Sequence, residues 1–134
     1  MQILLADDDA GYRLLVKTAL VQWGYQPIVA ADGTMAWNLL HGPEAPPIAI
    51  LDWMMPGYSG LELCRKLRRR TKSIYLILLT ANREKADIIE GLQTGADDYI
   101  TKPFDRQELF ARLQTGVRIV QLQQNLEKRV TELE

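Results

Sequence analysis

The chain has 134 residues, a formal net charge of −1 and 47% hydrophobic residues, the proportions of one globular domain able to bury a core. Sixteen basic against seventeen acidic side chains give no electrostatic case for direct nucleic acid binding, and no apolar run approaches the ~20 residues of a membrane span. A single cysteine, Cys64, excludes an internal disulfide; with no charged leader ahead of the first apolar run, the sequence reads as soluble and cytoplasmic.

Gln2 to Ala6 is a short apolar run, read as the first strand, and it stops at Asp7-Asp8-Asp9. Tyr12, Leu15, Val16, Ala19, Leu20 and Trp23 then follow helical spacing, with Asp9 as N-cap and Gly24 as the stop. Pro27 to Ala30 is a weaker second strand, and Gly33 leads into a helix carrying Met35, Ala36, Leu39 and Leu40. Ile48 to Leu51 is four apolar residues without alternation, the mark of a strand buried on both faces of a parallel sheet. Asp52 ends it, and Pro56-Gly57 turns the chain.

Leu61, Cys64 and Leu67 mark a third helix with a basic outer face; Arg65 to Lys72 is read as its solvated end. Ile74 to Leu79 is the fourth strand, followed by Thr80-Ala81-Asn82. Ala86, Ile89 and Leu92 give a fourth helix ending near Gly95; Asp97 to Ile100 is the fifth strand; Asp105 opens the last helix. There is no internal repeat or interdomain linker.

Strands alternating with helices imply an α/β fold, a parallel sheet with helices on both faces. Right-handed crossovers bring every strand's carboxyl end to one edge, where such sheets bind ligands. That edge should carry Asp7, Asp8, Asp52, Thr80 and Lys102. Carboxylates gathered there repel one another and call for a counter-charge. Carboxylates, a backbone carbonyl and water suit Mg²⁺, with Mn²⁺ as the alternative, and no His or Cys argues for zinc. A cation, an ammonium, a hydroxyl and a carboxylate nucleophile are the requirements for accepting a phosphoryl group as an acyl phosphate.

These residues resemble those of the receiver domain of two-component response regulators, the CheY-like family. Five motifs carry the likeness, in order: Asp7-Asp8; Asp52; Met55-Pro56-Gly57; Thr80-Ala81; and Lys102-Pro103-Phe104. The match covers residues 1–120. It implies a flavodoxin-like, doubly wound, five-stranded parallel sheet of order 2-1-3-4-5 with five helices. It further implies that Asp52 accepts phosphate from a histidine kinase or phosphotransfer protein. Asp7, Asp8, Asp52 and the Met54 carbonyl would bind Mg²⁺. Lys102 would contact the phosphoryl oxygens, Thr80 and Tyr99 would act as the switch pair, and Lys102-Pro103 would be cis. Met54 and Asn82 occupy the positions that tune phosphoryl lifetime, and the fourth helix, fifth strand and fifth helix form the output face. The protein would be a phosphorylation-controlled switch and not a turnover enzyme.

Plainer roles exist for each of these residues. Asp9 is a helix cap; Thr80 or Lys102 alone would be ordinary surface groups; Tyr99 would be a half-buried strand aromatic. Trp23 and Trp37 pack helices, and His41 has no assigned role. A haloacid-dehalogenase-type phosphatase shares the Asp, Mg²⁺ and Lys chemistry, and Asp7 with Asp9 mimics its spacing, but the Asp52 motif and the short chain speak against it. A flavodoxin-like cofactor binder lacks a phosphate-cradling loop after the first strand. A receiver used only for protein contacts does not need the intact acidic set.

From Asp105 onward there is no proline, and thirty helical residues would span ~45 Å, more than a compact domain covers. Residues 121–134 are therefore expected to extend the last helix as a short coiled coil or a linker to an output domain. Ile119, Leu122, Leu126 and Leu133 approximate a heptad, with Arg129 where an apolar residue is wanted and Val130 beside it. The expected assembly is a homodimer through this helix.

Overall fold

A computed structural model describes residues 1–70, 73–81 and 84–133. The elements run β1 (Gln2–Ala6), α1 (Ala10–Gln22), β2 (Gln26–Ala30), α2 (Gly33–Leu40), β3 (Ile48–Asp52), α3 (Gly60–Arg68), β4 (Tyr75–Thr80), α4 (Lys85–Thr94), β5 (Asp98–Thr101) and α5 (Arg106–Leu133). All pairings are parallel, and the strand order is β2-β1-β3-β4-β5. This is the doubly wound, flavodoxin-like sheet with five helices.

Alternation along the central strands divides the core. Ile3, Leu5, Ile48, Ile50, Ile77 and Leu79 face Val16 and Leu20 of α1 and Leu109 and Leu113 of α5. Leu4, Ala49, Leu51, Leu76 and Leu78 face Ala36 and Leu40 of α2 and Leu63, Cys64 and Leu67 of α3. β3 is buried at every position, so its uninterrupted hydrophobicity has a structural cause. Pro27 is tolerated because β2 is an edge strand, with a partner on one side only.

Several boundaries and faces differ from expectation. β4 begins at Tyr75 and includes Thr80, and β5 begins at Asp98. The buried leucine of the first turn of α3 is Leu63, not Leu61, because Ser59 and Glu62 form a capping box that starts the helix at Gly60. Leu15 and Met35 are exposed. Arg68 is not a solvated helix end: it donates to the carbonyls of Gly95 and Ile74, at 2.7 and 2.8 Å, and pairs with Asp97. α4 differs most. Ile89 and Leu92 point to solvent, and its one buried residue is Gly91.

Candidate functional site

The carboxyl edge is assembled by tight backbone approaches. The Trp53 N–H donates to the Leu79 carbonyl at 2.8 Å, and the Gly60 N–H to the Trp53 carbonyl at 2.9 Å. A Cβ on Gly60 would lie 2.4 Å from the Asp52 carbonyl oxygen, so only glycine lets α3 begin directly behind β3. Gly57 turns the chain with φ +79°, a conformation that favours glycine.

Asp7 is fully buried, and Asp52 and Thr80 are buried at 7% and 3% exposure. Asp8 is exposed beside them. One carboxylate oxygen from each of Asp7, Asp8 and Asp52 lies within 4.8 Å of the others. The donor set is all oxygen, which fits a hard divalent cation such as Mg²⁺. Lys102 Nζ donates to Asp7 at 2.9 Å and stands 3.5 Å from Asp52. The Lys102–Pro103 peptide is cis, and the Lys102 N–H donates to the Thr80 carbonyl at 2.7 Å, which ties the ends of β4 and β5.

The charges disturb one another. Asp52 is pushed up from 3.8 to about 7, first by burial and then by its contact with Asp7, against the opposing pull of Lys102. Burial alone would lower Lys102, but its hydrogen bond to Asp7 and the charges of Asp52 and Asp7 outweigh that, and its pKa is raised. Burial and Asp7 thus favour the protonated form of Asp52, and a cation near it would favour the carboxylate.

These groups border an open cavity of about 720 Å³, with Asp8, Asp52, Met54, Thr80 and Lys102 around it. Met54 is 73% exposed, and its side chain offers no hydrogen bond to orient water. Tyr99 is partly buried against the α2–α3 side of the core. Asn82 lies outside the described residues.

One contributor is not visible in the sequence. Tyr12, taken as part of the core face of α1, puts its ring 4.2 Å from Lys102 Nζ and borders the cavity. Its signal was positional: Asp9 caps α1 by accepting from the Tyr12 N–H, which places Tyr12 in the first turn, over the sheet edge. Trp53 also borders the cavity, and a Cβ on Gly91 would meet its ring at 3.1 Å. The loop after Asp52 thus lies against α4. The cap on Asp9 also removes the main feature of the phosphatase alternative, an uncommitted acid two residues after Asp7.

The family model for the response regulator receiver domain matches residues 3–114. The chain belongs to this family. It is 45% identical over 119 residues to the phosphate regulon transcriptional regulatory protein PhoB of Klebsiella pneumoniae, a match covering 87% of this chain and 52% of that protein. It is also 45% identical over 114 residues to the response regulator RppA of Synechocystis, covering 84% of this chain and 49% of RppA. The chain thus spans about half the length of these relatives. Among solved structures, the receiver domain of Francisella response regulator 1452 superposes with a TM-score of 0.82 at 35% identity, covering 87% of this chain and 96% of that one. The BeF3-activated DrrB receiver domain gives 0.79 at 33%, covering 87% and 97%. The molecule is thus a receiver domain of a two-component response regulator, and the phosphatase reading is not favoured. Among the described residues no helix is long and apolar enough to cross a membrane.

Proposed function

We propose that Asp52 is the phosphoacceptor of a signalling switch, charged by the phosphohistidine of a sensor kinase or phosphotransfer protein in the cytoplasm. The observation that carries this reading is the placement of Asp52 beside the cavity with Lys102 3.5 Å away and Asp7 and Asp8 in reach. Asp7, Asp8, Asp52 and the Met54 carbonyl would hold Mg²⁺, or Mn²⁺ in its place. When bound, the ion offsets the mutual repulsion of the carboxylates and the charge of the incoming phosphoryl group.

The chain's own residues do the rest. An Asp52 carboxylate oxygen attacks phosphorus in line, the phosphorus–nitrogen bond of the donor breaks, and the imidazole leaves. Lys102, already held by Asp7, offers its ammonium to the phosphoryl oxygens without reorganising. Thr80, at the end of β4, supplies a hydroxyl to the new acyl phosphate, and Tyr99 moves inward behind it. Trp53 against Gly91 gives the acceptor loop a direct contact with α4, from which the change reaches the face formed by α4, β5 and α5. The added dianion shifts that face only as far as it binds one arrangement better.

The same domain catalyses its own dephosphorylation and is not a turnover enzyme. Residues 1–120 form the receiver, and residues 121–134 continue α5 as a dimerising stalk toward an output domain. Relatives about twice as long support that division. This chain does not itself touch nucleic acid.

Beryllofluoride with Mg²⁺ tests the reading through Trp53 fluorescence. A saturable change that needs both reagents, and that Trp53→Phe removes, is expected. No response in the parent, or an unchanged response in Asp52→Asn, would overturn it.

A further inference from the structure

The outer half of α5 exposes a stripe of hydrocarbon: Ile119, Leu122, Leu126 and Val130 are 37%, 61%, 64% and 51% exposed. The side of the helix beyond one flank of the stripe is engaged with the chain's own body. Val120 is buried, and Gln123 and Glu127 border a cavity of about 380 Å³ whose far wall includes Pro43, Pro46 and Pro47. The body therefore does not cover the stripe.

The stripe has a period. Ile119 and Val130 are eleven residues apart, as are Leu122 and Leu133, with Leu126 between them. A heptad would instead put Arg129 in the seam and leave Val130 beside it. An eleven-residue repeat needs about 3.67 residues per turn, close to the natural helix, so its seam stays nearly straight with a slight right-handed twist. Phased this way, Ile119, Leu122, Leu126 and Val130 share the seam and Arg129 moves to its flank.

The flanks decide orientation. On one side of the stripe lie Arg118 and Arg129, and on the other Gln123 and Glu127. Two parallel copies bring opposite flanks together, so that Arg129 faces Glu127 of the partner subunit. Two antiparallel copies bring the arginine flanks together. Opposite charges beside an apolar seam are what set partner and direction in paired helices.

We propose that the stripe pairs with a second copy of this chain, parallel and in register, in an eleven-residue phase with Arg129 outside the seam. It rests on the dimerising stalk proposed above and fixes that stalk's partner face, direction and phase.

Single-cysteine substitutions in the full chain test it. The native Cys64 is buried and its thiol is pushed up to about 12, chiefly by burial, so it stays unreactive under mild oxidation. Ile119→Cys, Leu126→Cys and Val130→Cys are expected to form disulfide-linked dimers about tenfold faster than Arg129→Cys or Gln121→Cys, because bridging needs Cβ atoms about 4 Å apart. Arg129→Cys linking as fast as Val130→Cys would overturn the phase. Leu126→Cys linking while Ile119→Cys does not would overturn the parallel register. Equal rates at all five positions would overturn the seam. Sedimentation of the cysteine-unmodified parent supplies the second readout: reversible self-association that Leu122→Glu with Leu126→Glu abolishes is expected, and a monomer at every concentration would overturn the pairing. The same cross-links in Asp52→Asn separate this proposal from the phosphoacceptor reading.

Discussion

At the carboxyl edge of the sheet the protein buries charge, and along the outer half of α5 it exposes hydrocarbon. Asp7 and Asp52 sit at 0% and 7% exposure while Leu122 and Leu126 sit at 61% and 64%. Both regions invert the ordinary partition of polar and apolar groups, and such inversions mark places where something else belongs. At the edge the deficit is electrostatic: Lys102 serves both Asp7 and Asp52, and Asp52 is pushed up to about 7 as a result of burial and of Asp7. On α5 the deficit is one of contact. The two ends of the molecule therefore respond to different perturbations, and that difference can be measured.

The largest expected effect separates the two halves of a single helix. Leu113→Ala, in the buried half of α5, should cost about 3 kcal/mol in urea unfolding. Leu126→Ala should cost about 0.5 kcal/mol or less at a concentration where the chain is monomeric. Equal costs would show that the outer helix is packed on the body after all.

Next in size is Lys102→Ala, which removes the preset ammonium. Autophosphorylation by acetyl phosphate should slow roughly a hundredfold, with self-association by α5 unchanged. A loss of both would mean the two regions are not independent.

The effect of pH follows the raised acceptor. The folded state binds the Asp52 proton more tightly than the unfolded chain, whose carboxyl has the ordinary value of 3.8. Stability without divalent ions should therefore fall as pH rises from about 4 through about 7. Asp52→Asn should flatten this dependence, and Mg²⁺ should oppose it. The metal-free phosphorylation rate should rise up to tenfold per pH unit below about 7 and then level, since only the carboxylate attacks. A profile flat from pH 5 to 8 would contradict the shift.

The smallest effect is on lifetime. Met54→Asn places an amide where an exposed thioether now stands, and an amide can orient water. The acyl phosphate should then hydrolyse a few-fold faster in a chase followed by intact mass. An equal or longer lifetime would remove Met54 from that role.

The legible part of this protein was the part written in short-range patterns. The uninterrupted run from Ile48 to Leu51 marked a strand buried on both faces, and the period change after Asp9 marked α1. Strand ends then placed Asp7, Asp8, Asp52, Thr80 and Lys102 on one edge, and the structure gathers them there. What stayed hidden depended on distances across the fold. Tyr12 reads as one more apolar helical residue until β5 brings Lys102 under its ring. Arg68 reads as one of a basic run until Asp97 and two carbonyls collect around it. Ile89 and Leu92 looked like a core face; the contact of α4 falls instead at Gly91, where the Trp53 ring leaves no room for a side chain. The period of the outer helix is a different kind of question, one of pairing and not of folding. Ile119, Leu122 and Leu126 suit either a heptad or the proposed eleven-residue phase, and the two part at Arg129 and Val130.

The most direct test of the phosphoacceptor claim is the intact mass of the parent and of Asp52→Asn after acetyl phosphate with Mg²⁺. The account predicts one phosphoryl group on the parent, removed by hydroxylamine as an acyl phosphate should be, and none on the variant. A phosphoryl group retained by Asp52→Asn at the parent's level would contradict it.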